Sequence, residues 1–392
     1  MSDPKRFVAS LINEIPPSGI RKFFDLIATT EGVISLGVGE PDFATPDHII
    51  EATVKSLRAG TTAYTSNQGL PELRDEIAAY LKRWLNLDYD GATEVMITTG
   101  VSEGVDLAFR AFLEPGDEVL MPEPTYVSYA PGVRLAGGVP VSIQTYAEND
   151  FRLTAEQLEP KITPRSKFLI LPYPNNPTGG TMGREDYAAL VDLIEKHDLL
   201  ILSDEIYGEL TYDGEHASIA QLPGMWERTV VLNGFSKAYA MTGWRVGFAC
   251  GPKELVGAMN KIHQYSALCS PTMGQVAAVE ALRNGDADKR HMIESYNRRR
   301  HQILNGLKRI GMACFEPKGA FYVFPSIAIT GLSSDEFSER LLFEEKVAVV
   351  PGTAFGSSGE GFIRCCYAAS PENIDEALCR IERFVQRIVS DK

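Results

Sequence analysis

Three observations predict an α/β fold: a large domain on a mainly parallel sheet flanked by helices, with a smaller α+β domain. Short apolar runs alternate with helix-period segments through the middle of the chain. Several runs are apolar throughout, as in Phe168-Leu169-Ile170-Leu171 and Leu199-Leu200-Ile201-Leu202, which suits strands covered on both faces. The length, 392 residues, corresponds to two or three domains at roughly 100–200 residues each.

The expected strands, in order, are Glu94–Thr99, Glu118–Met121, Val139–Ile143, Lys167–Pro172, Leu199–Ser203, Thr229–Asn233 and Arg245–Cys250. Between them lie helical stripes. Leu73, Ile77, Tyr80, Leu81 and Trp84 recur on one helical face, behind Pro71 at a first helical position. Tyr187, Leu190, Val191 and Ile194 form another. After about Leu282 the texture changes. Asp286–Ile310 reads as a long charged helix, followed by strand candidates at Ala320–Phe324, Val347–Val350 and Phe362–Tyr367. The final helix starts at Ser370 as N-cap with Pro371 behind it, and its apolar face is Ile374, Leu378, Ile381, Val385 and Ile388. The expected division is a large domain over residues 46–285 and a small one over 286–392, joined by the N-terminal segment 1–45.

Composition excludes several classes. Apolar residues are 44% and charged residues 23%, ordinary for a globular chain and wrong for a disordered one. The net charge of −14 argues against binding a polyanion backbone, although a local basic pocket for a small anion remains compatible. No uninterrupted apolar run approaches membrane-span length. Residues 1–18 carry Asp3, Lys5, Arg6 and Glu14 and lack a secretory apolar stretch. The six cysteines, at 250, 269, 314, 365, 366 and 379, show neither C-x-x-C nor zinc-type spacing. Buried reduced thiols in a cytoplasmic protein are the expectation.

The usual nucleotide motifs fail: Gly37-Val-Gly39-Glu-Pro-Asp42 lacks a third glycine, and no Gly-Lys pair exists for a phosphate loop. Gly100-Val101-Ser102-Glu103-Gly104 matches a serine-hydrolase elbow between a strand and a helix, with His197, His216, His263, His291 and His301 as candidate partners. No His-Gly-Gly oxyanion segment accompanies it. The same helix start offers free N–H groups at Val101 and Ser102 to an anion.

Four further residues fall just past the carboxyl ends of expected strands: Tyr126, Asn176, Asp204 and Lys237. Singly they read as a packing aromatic, a turn asparagine, a capping aspartate and a surface lysine. Together they lie along the rim where open α/β sheets bind ligands. An anion cradle, an aromatic platform, a strand-end carboxylate and a lysine are what pyridoxal 5′-phosphate requires. The lysine condenses with its aldehyde, the carboxylate keeps its ring nitrogen protonated, and Asn176 and Tyr207 can hydrogen-bond its 3′-oxygen.

At this point the sequence resembles the fold-type I pyridoxal-phosphate enzymes, specifically the class I aminotransferases. The resemblance spans nearly the whole chain. It is carried by Ser35-Leu-Gly-Val-Gly39-Glu-Pro-Asp-Phe43, Tyr64, Pro174–Gly179, Ser203-Asp-Glu-Ile-Tyr207, Ser236-Lys237 through Gly243-Trp-Arg245-Val-Gly247, and Gly361-Phe-Ile-Arg364. The resemblance implies that Lys237 is the Schiff-base lysine and general base, with Asp204 on the ring nitrogen. It also implies Tyr126 stacked on the ring, and Val101, Ser102, Ser236 and Arg245 on the phosphate. Arg364 would clamp the substrate carboxylate, and Gly39 would let the backbone approach the substrate. Tyr64 would reach the phosphate of a neighbouring subunit, implying a homodimer with shared sites. The implied reaction is ping-pong transfer of an amino group between an amino acid and a 2-oxo acid.

The stretch from His263 to Ser270 has no arginine, where dicarboxylate-specific relatives often carry one. Arg21 is the candidate substitute, entering from the N-terminal segment. The overall likeness is to bacterial and archaeal enzymes described as aromatic, alanine or aspartate aminotransferases, with glutamate and 2-oxoglutarate as the shared pair. A carbon–sulfur lyase on the same fold would share Lys237, Asp204 and Arg364. A regulator built on this domain would need a DNA-binding domain ahead of Ser35.

Overall fold

The computed structural model describes residues 3–17, 19 and 32–390. A short strand, β1 (Ile34–Ser35), precedes the seven strands of the central sheet. These are β2 (Val95–Thr98), β3 (Glu118–Glu123), β4 (Val139–Gln144), β5 (Ser166–Leu171), β6 (Leu200–Asp204), β7 (Thr229–Gly234) and β8 (Gly247–Cys250). Their order is β2-β8-β7-β6-β5-β3-β4. Every pairing is parallel except the two made by β8, which runs against β2 and β7.

The apolar runs form strands because both faces are covered. Phe168, Ile170 and Leu202 pack on one side with Leu107 and Phe109 of helix Val101–Phe112. Leu169, Leu171 and Ile201 pack on the other with Tyr187, Leu190 and Ile194 of helix Arg184–Lys196. Burying each such side chain contributes about 1.5–3 kcal/mol. The edge strand β4 departs from this pattern, with Val139 exposed.

The C-terminal part holds β9 (Tyr322–Val323), β10 (Val347–Ala348), β11 (Val350–Pro351) and β12 (Ile363–Cys366). Strands β11, β12 and β9 form an antiparallel sheet, while β1 pairs with β10, Ile34 opposite Val347. The long helix is Asp286–Ile310, as expected, and packs on helix Pro371–Ser390. Ser370 Oγ accepts from Asn373 N at 3.2 Å, closing the expected N-cap. The expected strand Val347–Val350 is divided between two sheets, and Ala320–Phe324 is shorter than its apolar run. Ala320 adopts φ 57°, outside the strand region.

All six thiols are free. Cys250, Cys365 and Cys366 are buried as expected, but Cys379 is exposed, because it points off the apolar face of the last helix. No described helix is long and apolar enough to cross a membrane.

Candidate active site

A cavity of about 730 Å³ opens where the parallel strands end. The first residues of helix Val101–Phe112, Val101 and Ser102, line it. The N-cap Gly100 has φ 76° and no side chain to cap the helix, which leaves the first N–H groups facing the cavity. A Cβ at Gly100 would meet Arg245 Nη2 at 2.5 Å, so the guanidinium lies directly across the helix start. Arg245 is itself held at φ 54°, unusual for a residue with a side chain, and donates to Thr242 O at 2.9 Å. With Val101, Ser102 and the buried Ser236, it makes a cradle suited to an anion of phosphate size.

Asp204 is the last residue of β6 rather than the first beyond it. Burial pushes its carboxyl up to about 6, against hydrogen bonds from Tyr129 (2.7 Å) and Ile206 N (3.3 Å). Lys237 lines the same cavity, near enough for its charge to favour the ionised carboxylate. Desolvation pulls the Lys237 ammonium down to about 8, and the nearby Arg364 and Arg245 add repulsion. Its Nζ donates to Gly39 O at 2.7 Å and lies 5.7 Å from the ring centres of Tyr207 and Phe321.

Arg364 stands on β12 and is only 2% exposed. Its Nη1 donates to Asn176 Oδ1 at 2.9 Å and its Nη2 to Gly37 O. The guanidinium sits 4.5 Å from the ring centre of Tyr322 and 4.8 Å from that of Phe355. Its Nε is buried without a hydrogen-bond partner. A buried, under-satisfied guanidinium facing a cavity is ready for a carboxylate. Tyr207 and Tyr322 share a hydrogen bond of 2.7 Å between hydroxyls. Burial first, then the charge of neighbouring groups, holds Tyr207 well above the usual phenol range, so it stays protonated. Gly39 must be glycine here, because a Cβ would collide with the Tyr322 hydroxyl.

The cavity thus brings together Gly39, Val101, Ser102, Tyr126, Asn176, Asp204, Tyr207, Ser236, Lys237, Arg245 and Arg364 from the sequence-derived set. Tyr64 does not line it and is 81% exposed in the single chain. Arg21 lies outside the described residues. Sequence reasoning missed Tyr129, Tyr322 and Thr242, all of which line the cavity. Tyr129 had a signal in its position three residues after Tyr126. Tyr322 had none, since it arrives from a different sheet. The hydrolase reading gains no support: the buried His263 bonds Glu103 rather than Ser102, and among the described residues no histidine bonds that serine.

These donors suit pyridoxal 5′-phosphate: an N–H and guanidinium cradle for its phosphate, a buried carboxylate for its ring nitrogen, and an amine for its aldehyde. The fold and the site together define a pyridoxal-phosphate enzyme of fold type I. The chain belongs to the aminotransferase class I and II family, whose profile matches residues 31–381. It is 47% identical over 375 residues to aromatic-amino-acid aminotransferase 2 of Thermococcus litoralis, covering 95% of this chain and 96% of the relative. Identity and coverage are the same for an aspartate aminotransferase of Pyrococcus abyssi. Among solved structures, an aromatic aminotransferase from Pyrococcus horikoshii superposes with a TM-score of 0.89 at 44% identity, covering 94% of this chain and 99% of its own. The protein is therefore a pyridoxal-phosphate-dependent aminotransferase, acting on amino acids and 2-oxo acids.

Proposed function

We propose that the chain moves an amino group between an L-amino acid of aromatic, alanine or aspartate type and 2-oxoglutarate by a ping-pong mechanism. The observation that carries the reading is one cavity lined together by Lys237, Asp204, Arg245 and Arg364. The named activities of the relatives support the aromatic and aspartate parts of this range.

When bound, the cofactor supplies an aldehyde that condenses with amino groups and a protonated ring that accepts electrons from the substrate carbon. Val101 N, Ser102, Ser236 and Arg245 would hold its phosphate, Tyr126 would cover the ring, and Asn176 and Tyr207 would donate to the 3′-oxygen. Asp204 would keep the ring nitrogen protonated. Arg364 clamps the substrate carboxylate beside Asn176, while Gly39 allows close approach. Lys237 Nζ, once the substrate amine had displaced it from the aldehyde carbon, would be the free amine that takes the proton from the substrate's α-carbon and returns it to the carbon on the other side of the transferred nitrogen.

Residues 46–285 form the cofactor domain, and 286–392 form the small one with the 1–45 segment. The β1–β10 pairing supports the joining of the two chain ends. The functional unit is a cytoplasmic homodimer in which Tyr64 of one subunit completes the phosphate site of the other. Its 81% exposure in the single chain supports that role.

The test mixes the loaded enzyme with each amino acid alone and follows loss of its visible absorbance. Conversion that regenerates with 2-oxoglutarate supports transamination. Release of pyruvate and ammonia from cysteine conjugates without an acceptor would favour the lyase, and labelling of Ser102 by a fluorophosphonate would favour the hydrolase.

A further inference from the structure

Asp204 is not alone in its pocket. The Tyr129 hydroxyl donates to its Oδ2 at 2.7 Å, while its Oδ1 accepts from Ile206 N at 3.3 Å. Tyr129 is 2% exposed and opens helix Tyr129–Leu135. Its ring meets Tyr126 edge-on, centres 5.6 Å apart at 81°. One short segment therefore carries both the ring that faces the cofactor and the hydroxyl that holds the carboxylate.

The direction of the hydrogen bond is settled by chemistry. Burial, then the Asp204 charge, holds the Tyr129 phenol well above its usual range, so it keeps its proton and donates. A donor to the charged form of a carboxylate favours that form. Burial works against it, as does Glu205, the next residue along the chain, whereas Lys237 works with it. Tyr129 and Ile206 N are thus the hydrogen-bond donors that offset desolvation.

We propose that Tyr129 is a positioning residue for the transamination. Its hydroxyl fixes the Asp204 rotamer and keeps the carboxylate ionised, so that the proton shared with the cofactor stays on the ring nitrogen. This rests on the reading of Asp204 as the partner of that nitrogen. Without Tyr129 the proton moves toward the carboxylate, and the neutral ring withdraws fewer electrons from the rest of the cofactor.

The experiment compares Tyr129→Phe, Asp204→Asn and the double variant as holoenzymes. It measures the pH midpoint of the visible cofactor band, the dissociation constant for pyridoxal phosphate and kcat. For Tyr129→Phe we expect the midpoint to rise by about half a pH unit or more and kcat to fall roughly ten-fold, the size of one charge-assisted hydrogen bond. The dissociation constant should rise less than ten-fold, since the phosphate cradle is untouched. Both effects should vanish on the Asp204→Asn background. If Asp204→Asn shifts the band and the rate while Tyr129→Phe shifts neither, the Tyr129 proposal is overturned and the Asp204 reading stands. If Tyr129→Phe acts equally on both backgrounds, it acts through packing, and the proposal is again overturned. If Asp204→Asn changes nothing, the Asp204 reading fails first and takes the proposal with it.

Discussion

Lys237 and Arg364 bear the strongest predictions at the scale of the residue. Lys237→Ala should abolish the visible absorbance band of the lysine–cofactor Schiff base and the half-reaction, while normal turnover would remove the assignment. The amine must be neutral to attack an aldehyde. Because desolvation lowers its pKa from 10.5 to about 8, the neutral fraction grows as pH rises through 8. Reconstitution of the apoenzyme should therefore accelerate with pH and level off above about 8, read by stopped-flow absorbance. A surface lysine would still be accelerating there. Arg364→Ala removes two charge-assisted donors from a desolvated site, and KM for the amino acid should rise about 100-fold or more. Arg364→Lys should recover little, because a single ammonium cannot make the fork contact.

Elements explain what could be read from sequence. The inner strands of the central sheet were legible because complete burial writes itself as an unbroken apolar run. Leu169, inside β5, is fully buried, and Leu169→Ala should lower stability by about 2–5 kcal/mol in a urea titration. Helix caps were legible for the same local reason, as at Ser370 and Pro371. The rim residues Asn176, Asp204 and Lys237 followed once the strand ends were located. What escaped lay in long-range pairing. The reversal of β8 leaves no mark on its own apolar residues, and the division of Val347–Val350 depends on partners at 34–35 and 363–364. Tyr322 enters the cavity from β9, so no local pattern could announce it. Gly100 belongs to this scale too. Gly100→Ala forces a left-handed φ and presses on Arg245, and phosphate affinity should fall with only a modest loss of stability, measured by cofactor titration and calorimetry.

The whole molecule is where Tyr64 acquires meaning. If sites are shared, Tyr64→Ala and Lys237→Ala chains should each be weak alone. Unfolded, mixed and refolded together, they should regain activity, because one site of each hybrid dimer is complete. Absence of complementation in a verified dimer would end the shared-site reading. The backward strand has a consequence at this scale as well. Because β8 opposes β7, the chain leaves the sheet at Gly234 and re-enters beside it at Gly247, at the same end of the strands. Everything between, Lys237 and Arg245 included, is one hairpin bend. On the proposed roles, Lys237 on the aldehyde and Arg245 on the phosphate would be two jaws of a single piece of backbone, with their spacing set by loop length. An insertion between residues 238 and 244 should change the gap between the jaws without touching either residue. Cofactor affinity would register that change before the fold did.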